Sequence, residues 1–314
     1  MQEFDLGIAW CWEYDREMVF ELEQYIHQKG LTIYQIAPYN LEETIDQLKT
    51  NQLSFKLFFD RASDQDEEFE RLNQLIKSLG IKMLNDYDKA LWSSDKATMH
   101  LEFLSAGIEV PYTIILSPYE EQPELWLENL PQDVFAEKIG TPFVLKPAFG
   151  AGSEGVVLDA KSTDDIEKVR EEFSDDKYLV QQKIEPIYIS GKRGWFRVFY
   201  SCGKVFPCLW DDLTRLSEPL LPGQIDEHIC EQIEELTKKI AQVCGLDLFS
   251  TEIAITQGNK LIVVDYVNDQ CDFRKKSSHY DGIPDEVVQK VLLSLVNHIY
   301  FQAKTESREN LQRL

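Results

Sequence analysis

A lysine and three glycines stand close together between two apolar runs in FVLKPAFGAGSEGVVL, residues 143–158. Lys146 ends the first run, and Gly150, Gly152 and Gly155 precede the second. Glycine takes positive φ without strain and lets the backbone approach a ligand closely, and successive backbone N–H groups in a loop bind anions. The pattern favours contact of the lysine and the loop with one anionic group such as a phosphate. A glycine-rich turn without a ligand is the alternative interpretation.

Neither of two common phosphate-binding loops fits this stretch. A GxxxxGK[ST] loop places its lysine after the glycines, at the start of a helix, whereas Lys146 precedes them. A GxGxxG dinucleotide motif leads into a helix, whereas these glycines lead into the apolar run Val156–Leu158. The sequence instead predicts a strand–loop–strand hairpin that could fold over phosphates.

Arg197 lies in WFRVFY, a stretch of aromatic and β-branched residues that is typical of a strand. With Trp195 and Phe196 before it and Val198 and Phe199 after it, Arg197 is poorly placed for a solvated surface charge. Guanidinium groups in such settings pair with carboxylates or phosphates. We therefore interpret Arg197 as a functional residue, with a surface charge as the alternative.

The overall composition limits the kinds of partner that the chain can have. Its net charge of −23 over 314 residues argues against nucleic acid or an anionic membrane, because no basic excess is present to neutralise phosphates. The N-terminal sequence lacks the basic region of a secretory signal, and no apolar run approaches the ~18 residues of a membrane span. Six scattered cysteines without a CxxC pair indicate reduced thiols. We expect a soluble, cytoplasmic protein with a small anionic ligand.

Periodicity along the chain predicts the scaffold for these residues. Over the first ninety residues, strand and helix patterns alternate, which indicates a parallel sheet covered by helices on both faces. There the predicted strands are Phe4–Trp12, Thr32–Ala37, Leu53–Phe59 and Ile81–Asn85, and the predicted helices are Asp15–Gly30, Leu41–Leu48 and Asp66–Leu79, the first capped by Asp15. Asp95 is predicted to cap a helix with Lys96 in its first turn, where a cation is slightly disfavoured by the helix dipole. Later strands are predicted in hairpins at Trp195–Tyr200 with Lys204–Trp210, and at Leu248–Thr256 with Lys260–Val267.

Six segments in order resemble the ATP-grasp superfamily, which includes D-alanine–D-alanine ligase, glutathione synthetase and ribosomal-protein glutamate ligases. They are NDYDKALWSSDKATMHLEFLSAGIEVPYT, FVLKPAFGAGSEGV, YLVQQKI, WFRVFY, FSTEIAI and LIVVDYVND. The resemblance extends from about Leu84 to Asn268, and the preceding part looks like the N-terminal α/β domain of that superfamily.

The resemblance implies an α/β (α+β) fold class, the ATP-grasp fold, in three parts. These are an N-terminal parallel-sheet α/β domain at residues 1–90, a small central subdomain with a glycine-rich lid at residues 91–180, and a C-terminal antiparallel-sheet subdomain with the metal site at residues 181–304. Residues 305–314 form a polar tail.

The resemblance also implies which residues bind ATP. Lys96 and Lys146 match the two lysines that hold the phosphates. Gly150, Gly152 and Gly155 match a mobile loop that closes on them, with Ser153 as a further hydrogen-bond donor. Arg197 matches an arginine that stabilises the transferring phosphate, so Lys146 and Arg197 are the predicted catalytic residues.

A second set matches the hinge that reads adenine. Gln181, Gln182 and Ile184 belong to it, with the carbonyl of Gln182 and the N–H of Ile184 as the expected contacts. An ordinary amphipathic strand is the alternative. Glu185 is a candidate for the ribose contact or, equally, a solvated carboxylate.

Two acids on a predicted hairpin, with a nearby asparagine, suggest a magnesium site. Glu252 alternates with isoleucines on one strand, and Asp265 ends an apolar run on its partner, with Asn268 close behind. Mg²⁺ prefers such oxygen ligands, and facing carboxylates repel unless a cation lies between them. We predict two magnesium ions, with Mn²⁺ as an alternative; two surface acids are the competing interpretation.

The spacing of this motif departs from the superfamily pattern. Many members have the acid and the asparagine two residues apart, whereas Asp265 and Asn268 are three apart and would fall on opposite faces of a regular strand. Either a bulge after Asp265 restores the geometry, or Tyr266 occupies the position of the acid. Asp269 is a further candidate ligand.

Candidate substrate residues follow the first and third predicted strands, because parallel sheets bind ligands at the carboxyl ends of their strands. Trp12 is preferred there over Trp10, which is a candidate core residue, and Arg61 follows the third strand. Arg274, beyond the metal strand, could hold a carboxylate or a phosphate. Arg193, Lys275 and His279 are weaker candidates.

The predicted function is an ATP- and magnesium-dependent ligase that joins a carboxylate to an amine through an acyl phosphate and releases ADP and phosphate. An amino acid or a peptide is a candidate substrate, and a homodimer is left open. A small-molecule kinase on the same scaffold and a nucleotide-binding protein without turnover are the alternatives. The acidic chain shows little of the basic acceptor pocket that an inositol-phosphate kinase needs.

Overall fold

The computed structural model describes residues 1–124, 135–150, 152 and 154–312, with the backbone alone for Ala136 and residues 305–312. Its strands are β1 Gln2–Trp10, β2 Ile33–Ile36, β3 Leu53–Arg61, β4 Lys82–Leu84, β5 Thr113–Leu116, β6 Phe143–Pro147, β7 Val157–Ala160, β8 Tyr178–Gln182, β9 Tyr188–Ile189, β10 Lys192–Arg193, β11 Trp195–Ser201, β12 Lys204–Asp211, β13 Leu216–Pro219, β14 Leu248–Thr256 and β15 Lys260–Asn268. Its helices are α1 Arg16–Gln28, α2 Leu41–Lys49, α3 Glu70–Ser78, α4 Tyr87–Ser94, α5 Lys96–Ser105, α6 Thr163–Glu172, α7 Glu227–Cys244 and α8 Asp285–Gln312.

The N-terminal strands form the parallel sheet that the alternating pattern predicts. Its order is β2-β1-β3-β4, and every pairing is parallel. Helix α1 packs on one face through Met18 and Leu22. Helices α2 and α3 pack on the other through Ile45 and Leu72. Both faces are therefore buried, as in other parallel sheets.

Two larger antiparallel sheets and a two-stranded antiparallel pair of β9 with β10 follow in the rest of the chain. The central sheet has the order β5-β8-β6-β7, and its β6–β7 hairpin carries the glycine-rich loop. The C-terminal sheet has the order β13-β12-β11-β14-β15. The predicted mixed α/β fold class is confirmed.

Helix α8 joins the N-terminal sheet to the C-terminal sheet. Its residues Val291 and Leu295 belong to one core cluster with Leu6 of β1, Phe59 of β3 and Phe199 of β11. The opposite face of the C-terminal sheet packs on α5 and α7 in a second cluster. No helix in the described part of the chain has the length and apolarity needed to cross a membrane.

Several local predictions need correction. Asp15 precedes α1 but makes no capping hydrogen bond, because its carboxylate pairs with Arg61 instead. The sequence pattern did not reveal α4, which Asp86 caps through the N–H of Lys89. Helix α8 continues to Gln312, into the predicted polar tail. By contrast, Asp95 caps α5 as predicted, accepting from the N–H groups of Ala97 and Thr98.

Gly155 gives a first testable prediction. Its φ is +67°, and an added Cβ would come within 2.8 Å of the Tyr178 hydroxyl. We expect Gly155→Ala to lower the free energy of unfolding by about 2 kcal/mol, from the left-handed backbone and the crowding. Gly191→Ala is the matched control, since φ there is +80° with no heavy atom within 4 Å. Urea denaturation of both variants is the measurement, and equal losses would remove Tyr178 as a cause.

Candidate functional site

Four side chains stand directly opposite one another across four strands of the C-terminal sheet. Cys208 of β12 pairs with Arg197 of β11, Arg197 pairs with Glu252 of β14, and Glu252 pairs with Asp265 of β15. Directly paired residues in antiparallel strands share a face of the sheet. The arginine and the two acids therefore form one charged row.

The irregular spacing on β15 is resolved by a bulge. Glu252 pairs with Asp265 and Ser250 pairs with Asn268, so three residues of β15 match two of β14. The extra residue brings Asp265 and Asn268 onto the same face. Tyr266 instead turns into the core, where its hydroxyl forms hydrogen bonds with His100 Nδ1 at 2.8 Å and Gln181 Nε2 at 2.9 Å. Of the two alternatives, the structure shows the bulge.

Glu252 is bound on both carboxylate oxygens. Oε1 accepts from the guanidinium of Arg197 at 2.8 Å, and Oε2 accepts from Trp195 Nε1 at 3.0 Å. The guanidinium lies 3.7 Å from the ring centroid of Trp210, a cation–π contact. Burial alone would lower the pKa of Arg197, but the charge and hydrogen bond of Glu252 raise it above its ordinary value. Arg197 is therefore fully charged.

Two lysines reach this row from outside the sheet. Lys146 on β6 donates from Nζ to the carbonyl of Val264 at 3.1 Å. Lys96, the first residue of α5, donates to the carbonyl of Gly150 at 2.8 Å. Burial would raise the pKa of Asp265, but Lys146, Lys96 and Arg197 outweigh burial and hold it below its ordinary value. Asp265 is therefore a carboxylate surrounded by cations.

The surroundings of Asp265 differ from those of Glu252 in one respect. Among the described residues, none donates a hydrogen bond to its carboxylate. Asp265 is half-buried, and a partly desolvated carboxylate without protein donors is stabilised when a cation binds it. The described residues contain no group of three or more His, Cys, Asp or Glu side chains placed to hold a metal. Any ion here would therefore need Asn268 or ligand oxygens besides the two acids.

The predicted adenine hinge lies at the end of β8. Gln181 is buried, and its side-chain amide donates to the hydroxyls of Tyr266 and Thr113. This amide therefore forms contacts within the protein. Ile184 packs beside Trp195 and Trp210, and no described residue accepts from its N–H. Glu185 lies within 3.4 Å of Arg193, with most of its side chain exposed. Gln182 is exposed, and its N–H donates to Tyr112.

The glycine-rich loop has the backbone that its composition predicts. Gly150, Gly152 and Gly155 have φ values of +111°, +65° and +67°. Ser153, the predicted hydrogen-bond donor, lies outside the described residues. The loop starts where α5 and β6 meet, because the N–H of Lys96 donates to the carbonyl of Ala148 at 2.9 Å.

Trp12 and Arg274 come together, as the substrate prediction requires. The Arg274 guanidinium lies 5.9 Å from the ring centroid of Trp12 and 5.8 Å from that of Tyr14. However, it is held by two carboxylates, Asp272 at 2.8 Å and Asp281 at 3.0 Å. Trp10 packs against the core, as its alternative interpretation has it.

Arg61 is almost completely buried. Arg61 and Asp15 form two hydrogen bonds, of 3.0 and 2.6 Å, and the side chain of each is 2% exposed. Phe273 covers the guanidinium at 5.4 Å. Asp269 is close to Arg61 and Asp64, where burial raises its pKa to about 6.

Sequence reasoning missed the two indoles of the site. Trp195 contacts Glu252 and Trp210 contacts Arg197, but only Trp195 is near Arg197 in the sequence. Trp195 is two residues from Arg197 on the same strand and so shares its face. That alternation was the available signal. Contacts between different strands, such as Trp210 with Arg197, depend on a register that the sequence does not state.

Comparisons with known proteins agree with this architecture. D-alanine–D-alanine ligase from Bacillus anthracis, solved in complex with ATP, has 14% identity and a TM-score of 0.67, with 99% of each chain covered. The RimK domain ATP-grasp protein from Sphaerobacter thermophilus has 20% identity and a TM-score of 0.61, covering 95% of this chain and 99% of that one. The ATP-grasp ligase PsnB, complexed with a minimal precursor, Mg and ADP, has 12% identity and a TM-score of 0.61, covering 96% and 98%.

Comparison of the sequence alone identifies no relative. No protein-family model matches the sequence, and no curated protein sequence matches it significantly. The likeness lies in the backbone, over nearly the full length of each chain. The chain therefore has the ATP-grasp fold, and the resemblance seen in its motifs is confirmed at the level of the fold.

Proposed function

We propose that the protein is an ATP- and magnesium-dependent ligase that joins a carboxylate to an amine and releases ADP and phosphate. The observation that carries the proposal is the Asp265 carboxylate. It stands opposite Glu252, three cations surround it, and no described residue donates a hydrogen bond to it. Such a group fits a site that takes up a metal with its anionic ligand.

The donor set fits magnesium. Glu252 and Asp265 would supply carboxylate oxygens from opposite strands, and the bulge places Asn268 on the same face. Hard oxygen donors are the ligands that Mg²⁺ prefers, with phosphates and water completing its shell. When bound, the metal would neutralise charge on the transferring phosphate. We propose two such ions between the acids and the phosphates, with Mn²⁺ as a substitute.

The nucleotide would lie between the central and C-terminal sheets. Lys146 and Lys96 already meet there at the charged row and at the start of the glycine-rich loop. The unused N–H of Ile184, beside the indoles, suits an adenine acceptor. We propose that Lys146, Lys96 and the loop hold the phosphates, and that the segment after Gln181 holds the base.

In the proposed reaction, a substrate carboxylate attacks the γ-phosphorus of ATP. The bond to the β–γ bridging oxygen breaks, ADP leaves and an acyl phosphate forms. The amine then attacks the acyl carbon, phosphate leaves, and the amine loses a proton. Lys146 and Arg197 would act by positioning and by charge, since this chemistry needs no side-chain nucleophile. The thiol of Cys208 in the charged row is neutral, because burial raises its pKa to about 12.

Ion pairs in the substrate region disfavour the kinase alternative. A kinase for phosphorylated small molecules needs free cations in its acceptor pocket. Arg274, Arg61, Arg193 and Lys275 are each held by described carboxylates. The proposed metal ligands Glu252 and Asp265, with Arg197 in the same row, favour turnover over a scaffold that only binds nucleotide.

Lys146 provides the test of the nucleotide site. We expect Lys146→Ala to weaken ATP binding by about 1.5–3 kcal/mol, the range for hydrogen bonds to charged groups. Titration calorimetry with ATP and Mg²⁺ is the measurement. Lys238→Ala is the matched control, because that lysine pairs with Glu234 on the exposed face of α7. Equal ATP affinity in parent and Lys146→Ala protein would remove Lys146 from the site.

The reaction itself can be tested by ADP release. We would mix MgATP with carboxylates and amines, singly and in pairs, and detect ADP. Release that requires both a carboxylate and an amine supports the ligase. Release with a single hydroxyl compound would select the kinase, and binding without release under every condition would select the scaffold.

A further inference from the structure

Two buried tryptophans support the charged row from one side. Trp195 of β11 and Trp210 of β12 are 6% and 9% exposed and pack in one cluster with Ala254, Ile262 and Val264. Each indole makes one polar contact to the row, Trp195 to Glu252 and Trp210 to Arg197. The same cluster contains Val264, whose carbonyl accepts from Lys146. The two indole rings therefore pack directly against the residues of the charged row.

The Trp195 contact has a chemical property that its neighbours lack. An indole N–H is a neutral donor, and its nitrogen neither accepts a hydrogen bond nor coordinates a metal. It therefore fixes Oε2 of Glu252 without competing with a metal for the carboxylate by charge. Arg197, which binds Oε1, is a cation and must compete with an incoming metal for the same charge.

The two contacts on Glu252 should therefore respond differently to a metal. Binding of a divalent cation would weaken the ion pair between Glu252 Oε1 and Arg197. The other guanidinium N–H groups of Arg197 have no acceptor among the described residues. The face of Trp210, at 3.7 Å, would keep the released guanidinium in place beside the phosphates. The bond from Trp195 to Oε2 can persist in both states.

We propose that Trp195 is a positioning residue that orients the Glu252 carboxylate for metal binding. The inference rests on the proposed function, since it concerns the same metal–nucleotide site. Without the Trp195 N–H, the Glu252 carboxylate group can rotate about its terminal side-chain bond, and Arg197 is then its remaining hydrogen-bond donor. The geometry of metal ligands depends on such supporting hydrogen bonds, and their loss costs about 10- to 100-fold in metal affinity or activity.

The test compares ADP binding with and without metal. We would titrate ADP by calorimetry in excess Mg²⁺ and in EDTA, using the parent, Trp195→Phe and Trp92→Phe. Trp92 is exposed on α4 and contacts no part of the row, so it is the matched control. We expect Trp195→Phe to lower the affinity for ADP about tenfold in Mg²⁺ and less than twofold in EDTA. Trp92→Phe should match the parent in both.

A second variant separates positioning from packing. Trp195→His, studied at pH 8, keeps a ring N–H but fills less of the apolar cluster than phenylalanine does. Positioning predicts that the Mg²⁺-dependent gain in ADP affinity is larger in Trp195→His than in Trp195→Phe, although thermal unfolding ranks the two in the opposite order. A merely structural role predicts that the gain follows stability.

The possible failures are distinguishable. If the parent binds ADP with the Mg²⁺ gain and Trp195→Phe shows the same gain, or loses affinity equally in EDTA, Trp195 has no positioning role. If the parent itself binds no ADP in Mg²⁺, the proposed function fails, and the inference fails with it. A Trp195→Phe protein that is unfolded by circular dichroism, with Trp195→His folded but lacking the gain, would also overturn the proposal.

Discussion

Asp265→Asn is expected to lower ligase turnover at least a hundredfold while leaving the protein folded. Asp265 is held as a carboxylate by Lys146, Lys96 and Arg197, and no described residue donates to it. The amide removes one negative charge and turns a donor toward the proposed cation. Since loss of a supporting hydrogen bond around a metal already costs up to about a hundredfold, loss of a ligand charge should cost at least as much. ADP release at saturating Mg²⁺ is the measurement.

Asp265→Asn should not stabilise the metal-free protein, although repulsion between two facing carboxylates alone would predict that it does. Two acids opposite each other would repel, but here Glu252 is paired with Arg197 and Asp265 is offset by three cations. The amide variant should therefore gain no stability. Asp159→Asn, at the exposed ion pair with Lys183, is the control and should turn over like the parent. A parent-like rate for Asp265→Asn together with an inactive Asp269→Asn would move the ligand to Asp269.

Asp15→Ala is expected to lower the free energy of unfolding by about 3–5 kcal/mol, the range for breaking a buried ion pair from one side. The variant leaves the Arg61 guanidinium charged, 2% exposed and without its two hydrogen bonds. One nitrogen of that guanidinium, Nη1, already lacks a hydrogen-bond partner among the described residues. Urea denaturation by circular dichroism is the measurement.

A surface pair supplies the control for this prediction. Glu234 and Lys238 pair on the exposed face of α7, and Glu234→Gln should cost less than about 1 kcal/mol. A loss of similar size in Asp15→Ala would mean that the buried pair adds little. Because Arg61 has no access to solvent, ADP affinity should stay unchanged in Asp15→Ala at temperatures where it is folded.

Local pattern predicted the elements of the site better than it predicted their partners. Alternation of apolar residues is enough to place Glu252 and Asp265 across one hairpin, because strand period and turn position are local properties. Helix capping by Asp95 is equally local. The bulge was one of two geometries that the sequence allowed, since an inserted residue leaves the apolar pattern readable either way.

Pairings between distant segments could not be predicted from the sequence. Arg61 stands at the end of a strand, where a ligand-binding residue is expected. An ion pair with Asp15, 46 positions away, instead holds it in the core. Likewise, the partner of Glu252 is the protein's own Arg197, at a separation of 55 positions. Charge is apparent in a sequence, whereas the residue that neutralises it depends on how sheets and helices pack. For this reason burial of a charged residue was the least predictable property.

The shared core of the first and last elements has a consequence for synthesis. Strands β1 and β3 are complete by Arg61, yet α8, which covers them together with α1, begins at Asp285. On the ribosome, Leu6 and Phe59 would therefore emerge long before Val291 and Leu295 can cover them. Until then α1 alone covers that face of the nascent N-terminal sheet, and the apolar surface left exposed is prone to aggregation. Folding to completion is thus a late event, and chaperones would have most to protect between the emergence of β3 and that of α8.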